Sequence, residues 1–198
     1  MRPKTLLEMA GVTPVPSSLA HAAVVIIDAQ REYVDGKVPL PGVGPALAEI
    51  AKLLARARAA GTPVVHIRHR GRPGGAFDPA HEGFAIAPEA APERSETVID
   101  KLLPNAFAET GLKDALAATG RREIVLAGFM THMCVEATAR AALDQGFKAT
   151  VVAAATATRD LPDPVGGQGI PAAEVQRNAL AALNDRFAVV VKDASEIK

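Results

Sequence analysis

The sequence predicts a doubly wound α/β fold, a six-stranded parallel sheet with helices on both faces. Short runs rich in β-branched residues alternate with Ala- and Leu-rich stretches of helical spacing. The runs are apolar on both faces, as strands covered from either side must be. Gly61, Gly120 and Gly146 each follow a helical stretch, at the position where a left-handed cap is cheapest. Repeated strand, helix, strand order with right-handed crossovers then gives a parallel sheet.

In order, the first strand is expected over 23–27, and a helix over 45–60 that Pro45 opens and Gly61 closes. A strand over 63–67 leads into residues 68–96, which concentrate Gly and Pro without clear periodicity and read as a long loop, either functional or disordered. Strand 97–99, helix 108–119, strand 123–127, helix 134–145 and strand 149–152 follow. A second loop over 161–171, LPDPVGGQGIP, precedes helix 172–184 and strand 187–191. Both loops follow strands, so both are expected on the carboxyl edge of the sheet, where open α/β folds bind ligands. Residues 1–198 are expected to form one domain, with 1–20 as an N-terminal extension.

Composition narrows the function classes. Twenty-two Lys and Arg balance 22 Asp and Glu, so neither a nucleic-acid binder nor a protein held on an anionic membrane is expected. Cys134 is the single cysteine, which excludes an internal disulfide and suits a reducing cytoplasm. The N-terminal residues lack the apolar core of a signal peptide, and no apolar run approaches the ~20 residues of a spanning helix. Gly42-Val-Gly-Pro-Ala lies too far from the first strand to be a dinucleotide turn, and no nucleophile elbow or phosphate loop is present.

Three residues at strand ends can carry chemistry. Cys134 follows a very apolar strand at the start of a helical stretch, where the helix dipole and free N–H groups favour a thiolate. At an ordinary pKa of ~8.5 only ~3% would be ionised at pH 7, so a nearby cation is also required. A lone cysteine is otherwise a small core hydrophobe. Asp28 closes Val-Val-Ile-Ile, where a partly desolvated carboxylate can serve as a base or simply cap a turn. Lys101 follows Thr-Val-Ile-Asp, and is either the cation that Cys134 needs or a solvated lysine.

The segments VVIIDAQREYVDG, ETVIDKLLPNAF and LAGFMTHMCVEATARAALDQGF resemble the isochorismatase-like cysteine hydrolase superfamily, which includes nicotinamidases, N-carbamoylsarcosine amidase and ureidoacrylate amidohydrolase. The likeness runs from about residue 21 to about 192, and its specific part is Gly-x-x-Thr-x-x-Cys-Val at Gly128 to Val135. It implies a Rossmann-like fold and a triad of Asp28, Lys101 and Cys134. It also implies a cis peptide at Phe129-Met130 and an oxyanion hole of the Met130 and Cys134 N–H groups. The expected activity is hydrolysis of a C–N bond in a small amide, ureide or lactam-like molecule through a Cys134 thioester. Isochorismatase-type vinyl ether hydrolysis is the alternative, although its enzymes typically replace the cysteine; a redox-sensing or interaction protein of the same fold is another.

The chain departs from the nicotinamidase pattern, because it lacks the Asp-x-His element of their metal site. His66, His69, Asp78 and His81 are suitable ligand types, but their loose spacing leads us to expect no metal and no cofactor. Gln30, Tyr33, His69, Phe77, Phe107 and His132 are candidate substrate-binding residues. Tyr33 can instead cover the sheet edge, Phe107 belong to the core, and His132 face solvent. Thr131 reads as a helix N-cap. The run Arg68-His-Arg-Gly-Arg72 can meet an anionic substrate group or a second subunit. The expected partners are a small-molecule substrate and further copies of the chain, as a homodimer or homotetramer.

Overall fold

A computed structural model describes residues 2–198. Six strands form one parallel sheet in the order β3-β2-β1-β4-β5-β6. They are β1 (Ala22–Ile27), β2 (Val64–His69), β3 (Thr97–Lys101), β4 (Glu123–Phe129), β5 (Lys148–Ala157) and β6 (Ala188–Val191). The central strands β1 and β4 are apolar on both faces because both are covered. The helices are α1 (Leu6–Met9), α2 (Val43–Ala59), α3 (Leu112–Ala118), α4 (Glu136–Asp144) and α5 (Ala172–Arg186).

The strands divide their side chains between two cores. Val24 and Ile26 of β1 meet Ile50, Leu53 and Leu54 of α2 on one face. Val25 and Ile27 meet Leu112 and Leu116 of α3 and Ala139 of α4 on the other, where Leu183 of α5 also packs. Full burial of each such aliphatic side chain contributes ~1.5–3 kcal/mol, which places most of the stabilisation in these two layers. Gly61, Gly120 and Gly146 take left-handed φ values of 66°, 69° and 80° at the ends of α2, α3 and α4.

The strand order reverses direction between β1 and β4, and their carboxyl ends flank the crevice that this topology opens. Close approach there requires glycine. Gly128, at φ 119°, lies so near β1 that a Cβ would stand 1.9 Å from the Ile27 carbonyl oxygen.

Several boundaries differ from expectation for local reasons. Strands β2, β3, β4 and β5 run further toward the carboxyl edge, because parallel pairing continues through His69 with Lys101 and Phe129 with Ala157. The helix expected over 108–119 begins only at Leu112. Asn105 Oδ1 accepts the Phe107 N–H and Glu109 holds φ 56°, so a turn occupies those residues. The short helix α1 was not expected, although Thr5 and Glu8 cap it reciprocally. Residues 68–96 fold back over the carboxyl edge, where Arg31 N–H donates to the Ala85 carbonyl and Ala87 N–H to that of Ala29.

Candidate active site

Asp28, Lys101 and Cys134 arrive from different strand ends. Asp28 ends β1 in a left-handed conformation, φ 49°, which turns its carboxyl into the crevice instead of along the strand. Lys101 ends β3, two strands away; each strand spacing is ~4.8 Å, so a long side chain is needed to cross in front of β2. Cys134 lies in a wide π-type turn, Thr131–Val135, between β4 and α4. The Met130 carbonyl accepts the N–H groups of Met133 and Val135, on either side of the cysteine. The Phe129-Met130 peptide is cis.

The three groups meet on the lysine. Lys101 Nζ lies 2.7 Å from Asp28 Oδ2 and donates to Cys134 Sγ at 3.3 Å, with the side chains of the ion pair wholly buried. Beyond the Lys101 ammonium, neither Asp28 oxygen has a well-aligned hydrogen-bond donor among the described residues, which leaves lone pairs for a proton. Burial raises the Asp28 pKa, against the pull of Lys101.

Cys134 corrects the expectation of a ready thiolate. Burial pushes the thiol up to about 12, and the Asp28 carboxylate adds to the rise, while Lys101 opposes both. The turn that begins α4 cannot match the loss of hydration, because a helix terminus supplies only ~0.3–2 kcal/mol. A buried thiol beside a buried carboxylate is therefore the resting arrangement. The lysine lies against both groups, where its charge can offset a negative charge on either.

An aromatic chain walls this centre. The Phe129, Tyr33, Phe77 and His69 rings meet edge to face in succession, with centroids 5.8, 5.0 and 5.2 Å apart. Tyr33 is buried, and its pKa is raised first by that burial and then by Asp28 and Cys134, so the phenol stays neutral. His132, half-buried in the turn that holds Cys134, meets Thr158 Oγ1 through Nδ1. Burial and the nearby Arg159 lower its pKa.

Other candidate residues have different duties. Gln30 cannot orient a substrate carbonyl, because Nε2 donates to the His69 and Phe84 carbonyls at 3.0 and 2.9 Å and Oε1 accepts the His69 N–H at 2.7 Å. Phe107 does not wall the crevice. It stacks at 5.7 Å on Phe147, which immediately precedes β5 at the opposite edge of the sheet. Thr131 is not an N-cap; its hydroxyl donates to the Ala157 carbonyl and ties the cysteine turn to β5. Arg68 turns away to pair with Asp100 at 2.7 Å and to cover the Phe84 ring.

His66 and His69 lie on opposite faces of β2 and cannot converge on one ion. His66 instead meets Glu96 at 2.9 Å, and His81 lies beside Asp78 at 3.5 Å. No group of three or more His, Cys, Asp or Glu residues among the described residues has metal-binding geometry.

Residues 22–195 match the model of the isochorismatase domain, from the first residue of β1 to the end of the last strand and the turn beyond it. The chain belongs to the isochorismatase family. Within this family it is similar to an isochorismatase from Pseudomonas putida KT2440, whose crystal structure superposes with a TM-score of 0.94 at 40% identity over 100% of both chains. It is 37% identical over 185 residues to the secreted isochorismatase effector Isc1 of Verticillium dahliae, covering 92% of this chain and 94% of that one. It is also 36% identical over 147 residues to the maleamate amidohydrolase of Pseudomonas putida, covering 66% and 69% respectively. The isochorismatase-family match makes the chain a hydrolase of that family and spans every strand that supplies the crevice.

Proposed function

We propose that this isochorismatase-family hydrolase is a cysteine-dependent amidohydrolase that cleaves a C–N bond in a small amide, ureide or lactam-like substrate. The observation that carries the reading is the buried contact of Lys101 with both Asp28 and Cys134. Likeness to a maleamate amidohydrolase supports the bond type. A thiol 5% exposed and held protonated is poorly suited to sensing oxidants, which disfavours a redox role.

In this mechanism Asp28 takes the thiol proton as Sγ attacks the carbonyl carbon. The carbonyl π electrons move to oxygen, where the Met130 and Cys134 N–H groups receive the charge. Collapse of this intermediate breaks the C–N bond, and protonated Asp28 gives its proton to the departing nitrogen. Water then loses a proton to Asp28 and attacks the thioester; expulsion of sulfur releases the acid, and Asp28 returns the proton to the sulfur. The raised Asp28 pKa suits both directions of transfer. Lys101 lies against both groups and offsets the negative charge that moves between carboxylate and sulfur.

Ammonia release from a panel of small primary amides and ureides tests the proposal. Purified protein should turn over members of the panel, and Cys134→Ala should abolish that turnover without lowering the melting temperature by more than a few degrees. Undiminished hydrolysis by the folded variant would remove the nucleophile role.

A further inference from the structure

Lys101 Nζ has a third neighbour. His69 Nδ1 stands 3.2 Å from it, beside Asp28 Oδ2 at 2.7 Å and Cys134 Sγ at 3.3 Å. An ammonium has three protons and no acceptor capacity, so His69 can join only as an acceptor. The Nδ1 lone pair must then face the lysine, with the imidazole proton on Nε2. His69 pairs with Lys101 in the β2–β3 register, which places the ring beside the point where the lysine chain leaves its strand.

The ring is fixed from two sides. Gln30, wholly buried, bonds both the N–H and the carbonyl of His69 and so holds its backbone in the manner of an added strand. Phe77 packs edge-on against the imidazole. The charged groups facing the ring are Lys101 from β3 and Asp28 from the end of β1; His132 and Tyr33 across the site are neutral. Burial, followed by the lysine charge, brings the His69 pKa down to about 4, in keeping with a neutral acceptor.

We propose that His69, held by Gln30, is a positioning residue for the reaction: it accepts one Lys101 proton and thereby directs the other two at Asp28 and Cys134. This rests on reading Cys134 as the nucleophile, but its test does not require turnover. Iodoacetamide labelling of Cys134, followed by mass spectrometry from pH 6 to 10, reports how well the ammonium supports the thiolate. His69→Leu should slow labelling about fivefold at pH 8, whereas His69→Asn, whose amide oxygen can replace Nδ1, should stay within twofold of wild type. With any amide that the wild type hydrolyses, His69→Leu should lower kcat and leave KM nearly unchanged.

Nitrogen-15 NMR of the histidines in the wild-type protein tests the same contact without a structural perturbation. His69, assigned by its absence in the Asn variant, should show the Nε2–H tautomer and no titration between pH 5.5 and 8. Labelling of a folded Leu variant that matches wild type, an Nδ1–H tautomer, or a midpoint near 6.5 overturns the proposal. If the wild type labels as expected but hydrolyses no amide, the amidohydrolase reading fails while the His69 contact is still judged by labelling and NMR.

Discussion

Replacing Asp28 with Asn should separate two properties that usually fall together: the sulfur becomes more reactive while turnover is lost. Burial holds the thiol protonated, and the adjacent carboxylate is the next contributor. Both groups lie on one ammonium, at 2.7 and 3.3 Å, so they are at most ~6 Å apart. Across ~6 Å, at an effective dielectric of ~20, a unit charge is worth ~3 kcal/mol, or ~2 pKa units. Removing it lets the thiol pKa descend from about 12 by roughly that amount. Thiolate then rises ~100-fold at neutral pH, but its intrinsic nucleophilicity falls ~10-fold, leaving a net gain of ~10-fold in alkylation. Amide turnover should fall ~10²–10⁴-fold for want of a base. Timed iodoacetamide labelling, quantified on the peptide spanning residues 123–140, gives the first number, and ammonia release gives the second. Slower or unchanged labelling in a folded Asp28→Asn protein would refute the electrostatic account of the resting sulfur.

Lys101→Met leaves a buried carboxylate without its counter-charge and should cost ~3–5 kcal/mol at pH 7 in urea unfolding. The remaining Asp28 pKa rises further, so the loss should shrink at pH 5, where a protonated carboxyl needs no partner; an equal loss at both pH values would count against the pair. In the proposed mechanism, turnover of the wild type requires ionised Asp28. Its raised pKa places the acid limb of kcat/KM above the ordinary carboxylate range, with activity lost as pH falls through it; a limb below pH 4 would contradict this. Gly128→Ala forces a Cβ against the Ile27 carbonyl and should cost ~3 kcal/mol or more, lowering Tm by roughly 6–12 °C in a thermal melt.

The order of elements and the edge that bears the site were legible because both follow from short-range signals: β-branched runs, helical spacing and left-handed glycines. Asp28 and Cys134 could be picked out for the same reason, since Asp28 closes one apolar run in the centre of the sheet and Cys134 lies in the turn that follows another. The protonation state of Cys134 was not legible. A helix terminus can be read from neighbouring residues, whereas desolvation depends on what the whole fold excludes. Gln30 and Phe107 show the same limit. Their side chains are suited to binding, but their partners, the His69 backbone and Phe147, are tens of residues away in the chain. The sequence offers His69 as a candidate substrate-binding residue, yet its bond to Lys101 arises only from the register between β2 and β3. Helix α1 could have been found from Thr5 and Glu8, whose spacing matches a capping box.

Rapid acid quench of a single turnover, followed by mass analysis of the 123–140 peptide, tests acyl transfer most directly. A mass gain equal to the acyl half of the substrate, carried on Cys134 and decaying as the acid product forms, is the expected result. Complete conversion of substrate with that peptide unmodified at every time point, and with Cys134→Ala still competent, would contradict it.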